Sequence, residues 1–178
     1  MAAIFYTTKS ITRFSGIIVN AANADLRAGA GVCGAIHAAA GPDLEVECKE
    51  IRYKIRKKKI PTGSAVITNG HVCQASWIIH AVGPIYSQYE PHEAVRLLAK
   101  TYVSCMKFLC GVDEQIVFPA ISCGVYGFPI PLACEVAVNT LKYCIYSMSY
   151  AADTRIVLTA FDPVVKADYE KLGVPELY

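Results

Sequence analysis

Two segments of the 178-residue sequence combine amide side chains, small residues and glycines in a way that suits anion binding. The first is Ile18-Val19-Asn20-Ala21-Ala22-Asn23, followed by Ala28-Gly29-Ala30-Gly31-Val32-Cys33-Gly34-Ala35. An apolar run ends at Asn20, two amides sit at and beyond its end, and a small-residue loop leads toward a helix. Gly and Ala let a ligand approach the backbone closely, and a helix starting near Gly31 offers free N–H groups and a partial positive charge to a phosphate. The second segment is Phe118-Pro119-Ala120-Ile121-Ser122-Cys123-Gly124-Val125-Tyr126-Gly127-Phe128. An apolar run again meets a glycine-containing loop ahead of a helix, where consecutive N–H groups can form an anion-binding nest. Two such loops following separate strands suit a diphosphate held between them.

Simpler readings compete with this one. Gly29 to Gly34 match the pattern GxGxxG, but a dinucleotide fold wants those glycines in a tight turn directly after the strand. Here Gly29 comes nine positions after Asn20, so an ordinary nicotinamide site is disfavoured. Asn20 and Asn23 can also be turn residues that satisfy the backbone. Two amides flanking Ala-Ala beside a glycine loop favour ligand binding over a purely structural loop.

Other reactive side chains carry less. A cysteine-dependent phosphatase needs an arginine soon after its nucleophile, and none follows Cys123 before Phe128. Cys33 and Cys123 therefore read as structural thiols. His37, one helical turn after Cys33, reads as a core or capping histidine, and His71, His80 and His92 form no constellation. The eight cysteines, Cys33, Cys48, Cys73, Cys105, Cys110, Cys123, Cys134 and Cys144, contain no CxxC pair. Reduced thiols acting as small core residues are expected, with neither disulfides nor a metal site, because the histidines and cysteines never fall into paired ligand spacing.

The elements that position these loops follow from hydrophobic period. Strands are expected at Ile4–Thr7, Ile17–Asn20, Ala65–Thr68, Trp77–Ala81, Gln115–Pro119 and Arg155–Ala160. Several are almost continuously apolar, as strands covered on both faces of a largely parallel sheet are. Apolar residues recur at spacings of three and four in 92–110 and 131–149, each a helical stripe. Pro131 sits at the start of the second stripe, where a missing N–H costs nothing. Further helices are expected over 43–58, Gly31 to Ala40 and Val164 to Leu172. Alternating strands and helices argue α/β, in one domain spanning 1–178.

Composition narrows the class. Hydrophobic residues make up 54% and charged residues 18%, which excludes a disordered chain. No stretch approaches the ~18–20 apolar residues that span a bilayer, and Met1 to Phe14 lacks the pattern of a signal peptide. A cytoplasmic monomer is expected. The net charge of +2 hides an asymmetry: seven of 17 basic residues lie between Lys49 and Lys59, with one acid, Glu50. The remainder carries 10 basic and 14 acidic residues. Leu44, Cys48, Ile51 and Ile55 share one helical face there, so the basic residues are expected to point to solvent, where they could also contact nucleic-acid phosphates.

These motifs together resemble the macrodomain family, which recognises ADP-ribose. The likeness rests on Val19-Asn20-Ala21-Ala22-Asn23 with its glycine loop, and on Gly34-Ala35-Ile36-His37-Ala38-Ala39-Ala40-Gly41-Pro42. It extends through Pro61-Thr62-Gly63-Ser64-Ala65, Ile79-His80-Ala81-Val82-Gly83-Pro84 and Ser122-Cys123-Gly124-Val125-Tyr126-Gly127. It covers nearly the whole chain, in order. The nearest branches it suggests are MacroD-type hydrolases and the macrodomains of positive-strand RNA virus replicases, with first-loop wording similar to rubivirus and alphavirus members.

The resemblance implies a three-layer α/β/α sandwich around a mixed, mostly parallel sheet of about six strands. It implies hydrolysis of mono-ADP-ribose from modified proteins, with weak ADP-ribose 1″-phosphate phosphatase activity, or else a non-catalytic ADP-ribose reader; the basic segment Lys49 to Lys59 leaves an RNA- or poly(ADP-ribose)-binding module as a further alternative. No cofactor is implied. Asn23 matches the amide that binds the distal ribose and fixes the attacking water; Gly31 and Tyr126 complete the catalytic set. Gly29, Ala30, Gly31 and Val32 match the ribose and phosphate loop, and Ser122, Cys123, Gly124 and Val125 the diphosphate loop. Phe161, followed by Asp162, matches an aromatic near adenine. Ile11, Asn20, Ala22, Cys33 and Ala120 are also expected to contact ligand. Three positions depart from the pattern: Ser10 stands where many members hold an adenine-binding aspartate, Cys33 where MacroD-type enzymes hold an aspartate, and Ala28 where coronaviral members hold a histidine. Asp25 is the only carboxylate near the first loop, so catalysis is expected to rest on positioning and electrostatic preorganisation.

Overall fold

The near-continuous apolar runs form six strands, and each lies where the hydrophobic pattern places it. The computed structural model describes residues 3–55, 59–109, 114–148, 150 and 154–178. The strands are β1 (Ala3–Thr7), β2 (Ile17–Ala21), β3 (Ala65–Asn69), β4 (Trp77–Ala81), β5 (Ile116–Phe118) and β6 (Arg155–Thr159). The helices are α1 (Gly31–Ala40), α2 (Pro42–Lys54), α3 (Pro91–Met106), α4 (Ile130–Ser147) and α5 (Pro163–Lys171). Three short 3-10 turns, Ile11–Arg13, Tyr86–Gln88 and Lys107–Leu109, are added; such short pieces carry no period for the sequence to show.

The sheet order is β1-β6-β5-β2-β4-β3. Every pairing is parallel except β3 with β4. Successive residues alternate between two cores. Ile17, Val19, Ile116, Phe118, Ile156 and Leu158 face the core shared with α3, α4 and α5. Ile18, Ile78, Val117 and Val157 face the core shared with Ile36 and Ala40 of α1 and Leu44 and Cys48 of α2. Burial on both faces explains why these strands read as apolar runs rather than alternating ones. The result is the three-layer sandwich. No helix among the described residues is long and apolar enough to cross a membrane.

β5 is shorter than expected, three residues in place of Gln115–Pro119, since Pro119 has no N–H to give a ladder. α2 ends at Lys54; Arg56, Lys57 and Lys58 of the basic segment, and Cys110, lie outside the described residues.

Because β2 and β5 are parallel neighbours, with Ile17 beside Ile116 and Ile18 beside Val117, their carboxyl ends lie together. That is where open α/β sheets bind ligands. α1 and α2 join through Gly41 alone, whose φ of 80° and ψ of −178° serve as the end of one helix and the start of the next. Its N–H donates to His37 O at 3.1 Å. This backbone region is nearly glycine-only. Gly41→Ala should therefore lower unfolding free energy by about 1–3 kcal/mol, read as a shifted urea midpoint; an unchanged midpoint would show that the junction relaxes without cost.

Candidate functional site

The first loop follows β2 and is folded back on itself by the amide of Asn23. Asn23 Oδ1 accepts from Arg27 N at 3.1 Å, and Nδ2 donates to Arg27 O at 2.8 Å. Leu26 N donates to Asn23 O at 3.0 Å. Leu26 adopts φ of 51° yet is 1% exposed: its side chain is sunk in the core under α1 and α2, and that burial outweighs the conformational cost. Arg52 braces the loop from below, donating through Nη1 to Asp25 O at 3.0 Å and Leu26 O at 3.2 Å, and through Nη2 to Glu45 at 3.2 Å. The expectation that the basic residues of this helix all face solvent is corrected at Arg52, whose stem reaches across to orphaned loop carbonyls. Lys59 lies 3.9 Å from Asp25.

The second loop leaves β5 at Pro119. Phe128 N donates to Ser122 O at 3.0 Å and Gly127 N to Gly124 O at 2.9 Å. Tyr86 N donates to Tyr126 O at 2.9 Å, tying the loop to the segment after β4. The N–H groups of Gly124, Val125 and Tyr126 have no backbone acceptor, as an anion nest requires. Ser122 takes φ of 65°, and its hydroxyl is buried without a partner. It packs against Gly83, where any Cβ would collide with Ser122 Oγ and Ile121 Cγ2.

Between the loops runs a cleft with two compartments. One, of about 330 Å³, is lined by Ala22, Asn23, Gly29, Ala30, Cys33, Ser122, Val125 and Tyr126 among others. The other, of about 500 Å³, is lined by Lys9, Ser10, Ile11, Cys123, Phe161 and Asp162 among others. Gly31, Val32, Ala120 and Gly124 belong to both, so the compartments meet at a waist made by the start of α1 and the second loop. Gly31 and Val32 there are the first residues of α1, whose N–H groups have no partner within the helix. The cleft follows the carboxyl edge of the sheet, from Gly83 after β4, past the loops of β2 and β5, to Phe161 after β6 and Ser10 after β1.

Seventeen of the eighteen residues expected at the site line this cleft. Asn20 does not. It is 0% exposed, and its Nδ2 lies 3.1 Å from His80 Nδ1 and donates to Cys33 Sγ at 3.6 Å. The side-chain alternation of β2 turns it inward, beneath the cleft floor. Cys33 Sγ in turn donates to Arg27 O at 3.7 Å. Lys9 and Gly83 were not expected. Lys9 belongs to no pattern; Gly83 sits in a motif, but its task shows only once Ser122 is packed on it.

The electrostatics divide along the cleft. No carboxylate lines the Asn23 compartment, whereas Asp162 and Lys9 line the other. Asp162 also accepts from Val164 N at 2.8 Å, starting α5. Ser10 Oγ lies 2.9 Å from Thr12 Oγ1. Burial raises the Tyr126 phenol above its ordinary range, keeping it protonated. Val125 and Phe161 are 93% and 90% exposed, apolar surfaces at the mouth with nothing packed on them.

Comparison with known proteins follows this geometry. The Macro domain family profile matches residues 19–137. A Macro domain-containing protein of Listeria monocytogenes is 50% identical over 127 residues, covering 71% of this chain and 70% of that one. An O-acetyl-ADP-ribose deacetylase of Citrobacter koseri is 39% identical over 157 residues, covering 88% and 86%. A variant of the Oceanobacillus iheyensis macrodomain with ADPR superposes with a TM-score of 0.86 at 36% identity, covering 93% of this chain and 89% of that one. The Trypanosoma brucei macrodomain in complex with ADP-ribose gives 0.79 at 29%, covering 97% and 68%. Both sequence relatives are bacterial, and they lend no support to the viral replicase branch that the loop wording suggests.

Cys123 is the thiol most exposed to misreading as a nucleophile. Burial, reinforced by nearby Asp162, pushes it up to about 12. At pH 7.5 a far smaller fraction of such a thiol is ionised than of an ordinary cysteine. Iodoacetamide labelling of Cys123, followed by mass spectrometry, should be at least about 100-fold slower than for a free thiol and should accelerate with rising pH. Labelling at the ordinary rate would contradict the burial argument.

Proposed function

Because the chain belongs to the Macro domain family, we propose that it binds ADP-ribose along this cleft and hydrolyses mono-ADP-ribose from modified proteins. The observation that carries the reading is the waist. Two chambers of different character meet where the start of α1 and the N–H groups of the second loop face each other. A diphosphate belongs there, since backbone dipoles stabilise it without a cationic side chain. Adenine and its ribose then take the larger chamber, with Phe161 free to cover the base and Ser10 and Asp162 offering acceptors to its amino group. The distal ribose takes the chamber of Asn23 and Tyr126.

The chemistry suits that division. Asn23 Nδ2 uses one proton on Arg27 O and keeps a second for the ribose or a water. Water attacks C1″ or the ester carbonyl; the linkage to the protein side chain breaks, and the departing group takes a proton. No carboxylate lines this chamber, so a diphosphate oxygen of the substrate receives the proton from water, and the chain contributes orientation and a dry, fixed environment. Glycine at 29 and 31 admits the ribose to the backbone, and Tyr126 excludes solvent.

A second reading is favoured by relatives named O-acetyl-ADP-ribose deacetylases: the same bound water cleaves an acetyl ester on the distal ribose. The missing carboxylate equally suits a reader that binds without turnover. Incubation with an auto-mono-ADP-ribosylated protein and, separately, with O-acetyl-ADP-ribose distinguishes the three. Release of ADP-ribose from the protein supports the proposal, release only from the ester supports deacetylation, and tight binding with neither supports a reader. Asn23→Ala should lower turnover about 100-fold, with ADP-ribose affinity falling far less and the circular dichroism spectrum retained. Unchanged turnover in the folded variant would remove Asn23 from the reaction.

A further inference from the structure

Beneath the first loop, three metal-ligating side chains converge from three different elements: His37 from α1, Cys48 from α2 and His80 from β4. One donor atom of each lies within 4.8 Å of the other two. Cys48 Sγ is 3.9 Å from His80 Nε2. Cys48 and His80 are 0% exposed and His37 9%, and the proposed hydrolysis uses none of them. His37 Nε2 is buried with no hydrogen-bond partner. Its Nδ1 faces Glu45 Oε2 at 3.9 Å, and that carboxylate oxygen is itself unpartnered. A buried ring nitrogen left unsatisfied is unfavourable, and a cation would satisfy it.

We propose that His37, Cys48 and His80 form a binding site for a zinc-class divalent cation, completed by a water. Two imidazoles and a thiolate are the donor types such an ion selects. Bond lengths of about 2.3 Å to sulfur and about 2.0–2.1 Å to nitrogen place tetrahedral donors about 3.5 Å apart, so small side-chain rotations close the cluster. The ion's two positive charges meet the Cys48 thiolate directly, and the Glu45 carboxylate, which Arg52 also engages at 3.2 Å, lies behind His37. A carboxylate behind a ligating histidine is the common outer support of such sites, fixing the ring with its other nitrogen toward the metal. The route in is a surface groove of about 570 Å³ lined by Arg27, His37, Gly41 and Glu45 among others.

The protons balance. Cys48 gives its thiol proton to solvent. His80 binds as the neutral ring with its proton on Nδ1, leaving Nε2, which lies 2.9 Å from Thr68 Oγ1, to the ion. Asn20 turns its amide so that Oδ1, which lacks a partner, accepts a hydrogen bond from that Nδ1–H. One proton is released per ion. Since the Asn20 amide also meets Cys33 at the cleft floor, the ion is linked to the cleft through a single side chain.

The test uses the full chain, freed of metal with a chelator and titrated with Co²⁺. A sulfur-to-cobalt charge-transfer band saturating at one equivalent, release of one proton and displacement by Zn²⁺ are expected. Cys48→Ser should abolish the band, Cys73→Ser should keep it, and His37→Gln should weaken Co²⁺ binding at least about tenfold. Zn²⁺ should also slow maleimide labelling of Cys48 in the unaltered protein, read by mass spectrometry, which needs no variant to fold. Absence of the band, its survival in Cys48→Ser, or labelling indifferent to Zn²⁺ would overturn the proposal. None of these readouts depends on hydrolase activity.

Discussion

The parallel pairing of β2 with β5 is the constraint on which the site depends. It is short, two residue pairs, yet it aligns two carboxyl ends and so sends two glycine-containing loops off the same edge. Both strands are buried on both faces, with Ile17 and Val19, or Ile116 and Phe118, in one core and Ile18 or Val117 in the other. A one-residue slip would exchange the faces of every side chain, and it would also displace one loop along the edge relative to the other. The register that buries the apolar residues is therefore the register that builds the waist of the cleft.

Charge is distributed in keeping with this. The waist is lined by backbone and small residues, with no cationic side chain in the Asn23 compartment. The basic residues of α2, Lys49, Arg52 and Lys54, line neither compartment, and the one whose role is most visible, Arg52, points its guanidinium at carbonyls of the first loop. Its cation stabilises the loop by satisfying orphaned acceptors, and it holds Glu45 in place, not a ligand. Helix starts and nests are rigid dipoles already paid for by folding, so they meet a diphosphate without ordering a flexible side chain. A whole-chain charge of +2 therefore says little about how an anion would be bound here.

The strands and helices were legible because their periods are strong. All six strands and five helices occur where apolar runs and three-and-four spacings place them, with ends shifting by a few residues at Pro119 and Lys54. The cleft was legible because its parts are local: each loop is one contiguous segment, and strand order alone brings the two together. What stayed hidden depends on contacts between distant segments. Asn20 carries the residue type of a ligand contact, but strand alternation turns it into the core beside His80. Arg52 looks like its solvent-facing neighbours until the first loop folds within its reach. His37, Cys48 and His80 have no paired ligand spacing, because each belongs to a different element. Lys9 lines the larger chamber only because β1 ends beside β6.

Asn23 shows why a site residue and a fold residue need not be alternatives. Its amide closes the first loop through two hydrogen bonds to Arg27, contributing about 1 kcal/mol each, and it also lines the smaller chamber. A ligand that takes the remaining proton and lone pair of that amide favours the closed loop, which Cys33 and Arg52 also hold. Binding and loop closure are then one equilibrium, in which ligand stabilises the loop by as much as the closed loop improves affinity. The Cys33 contact to Arg27 O and the Arg52 contacts to the two preceding carbonyls hold the same turn from two other sides. Pre-closing the loop in this way lowers the ordering cost that the ligand would otherwise meet. That is the physical reason for placing an arginine, a cysteine and a buried leucine around a turn that presents one amide to the smaller chamber.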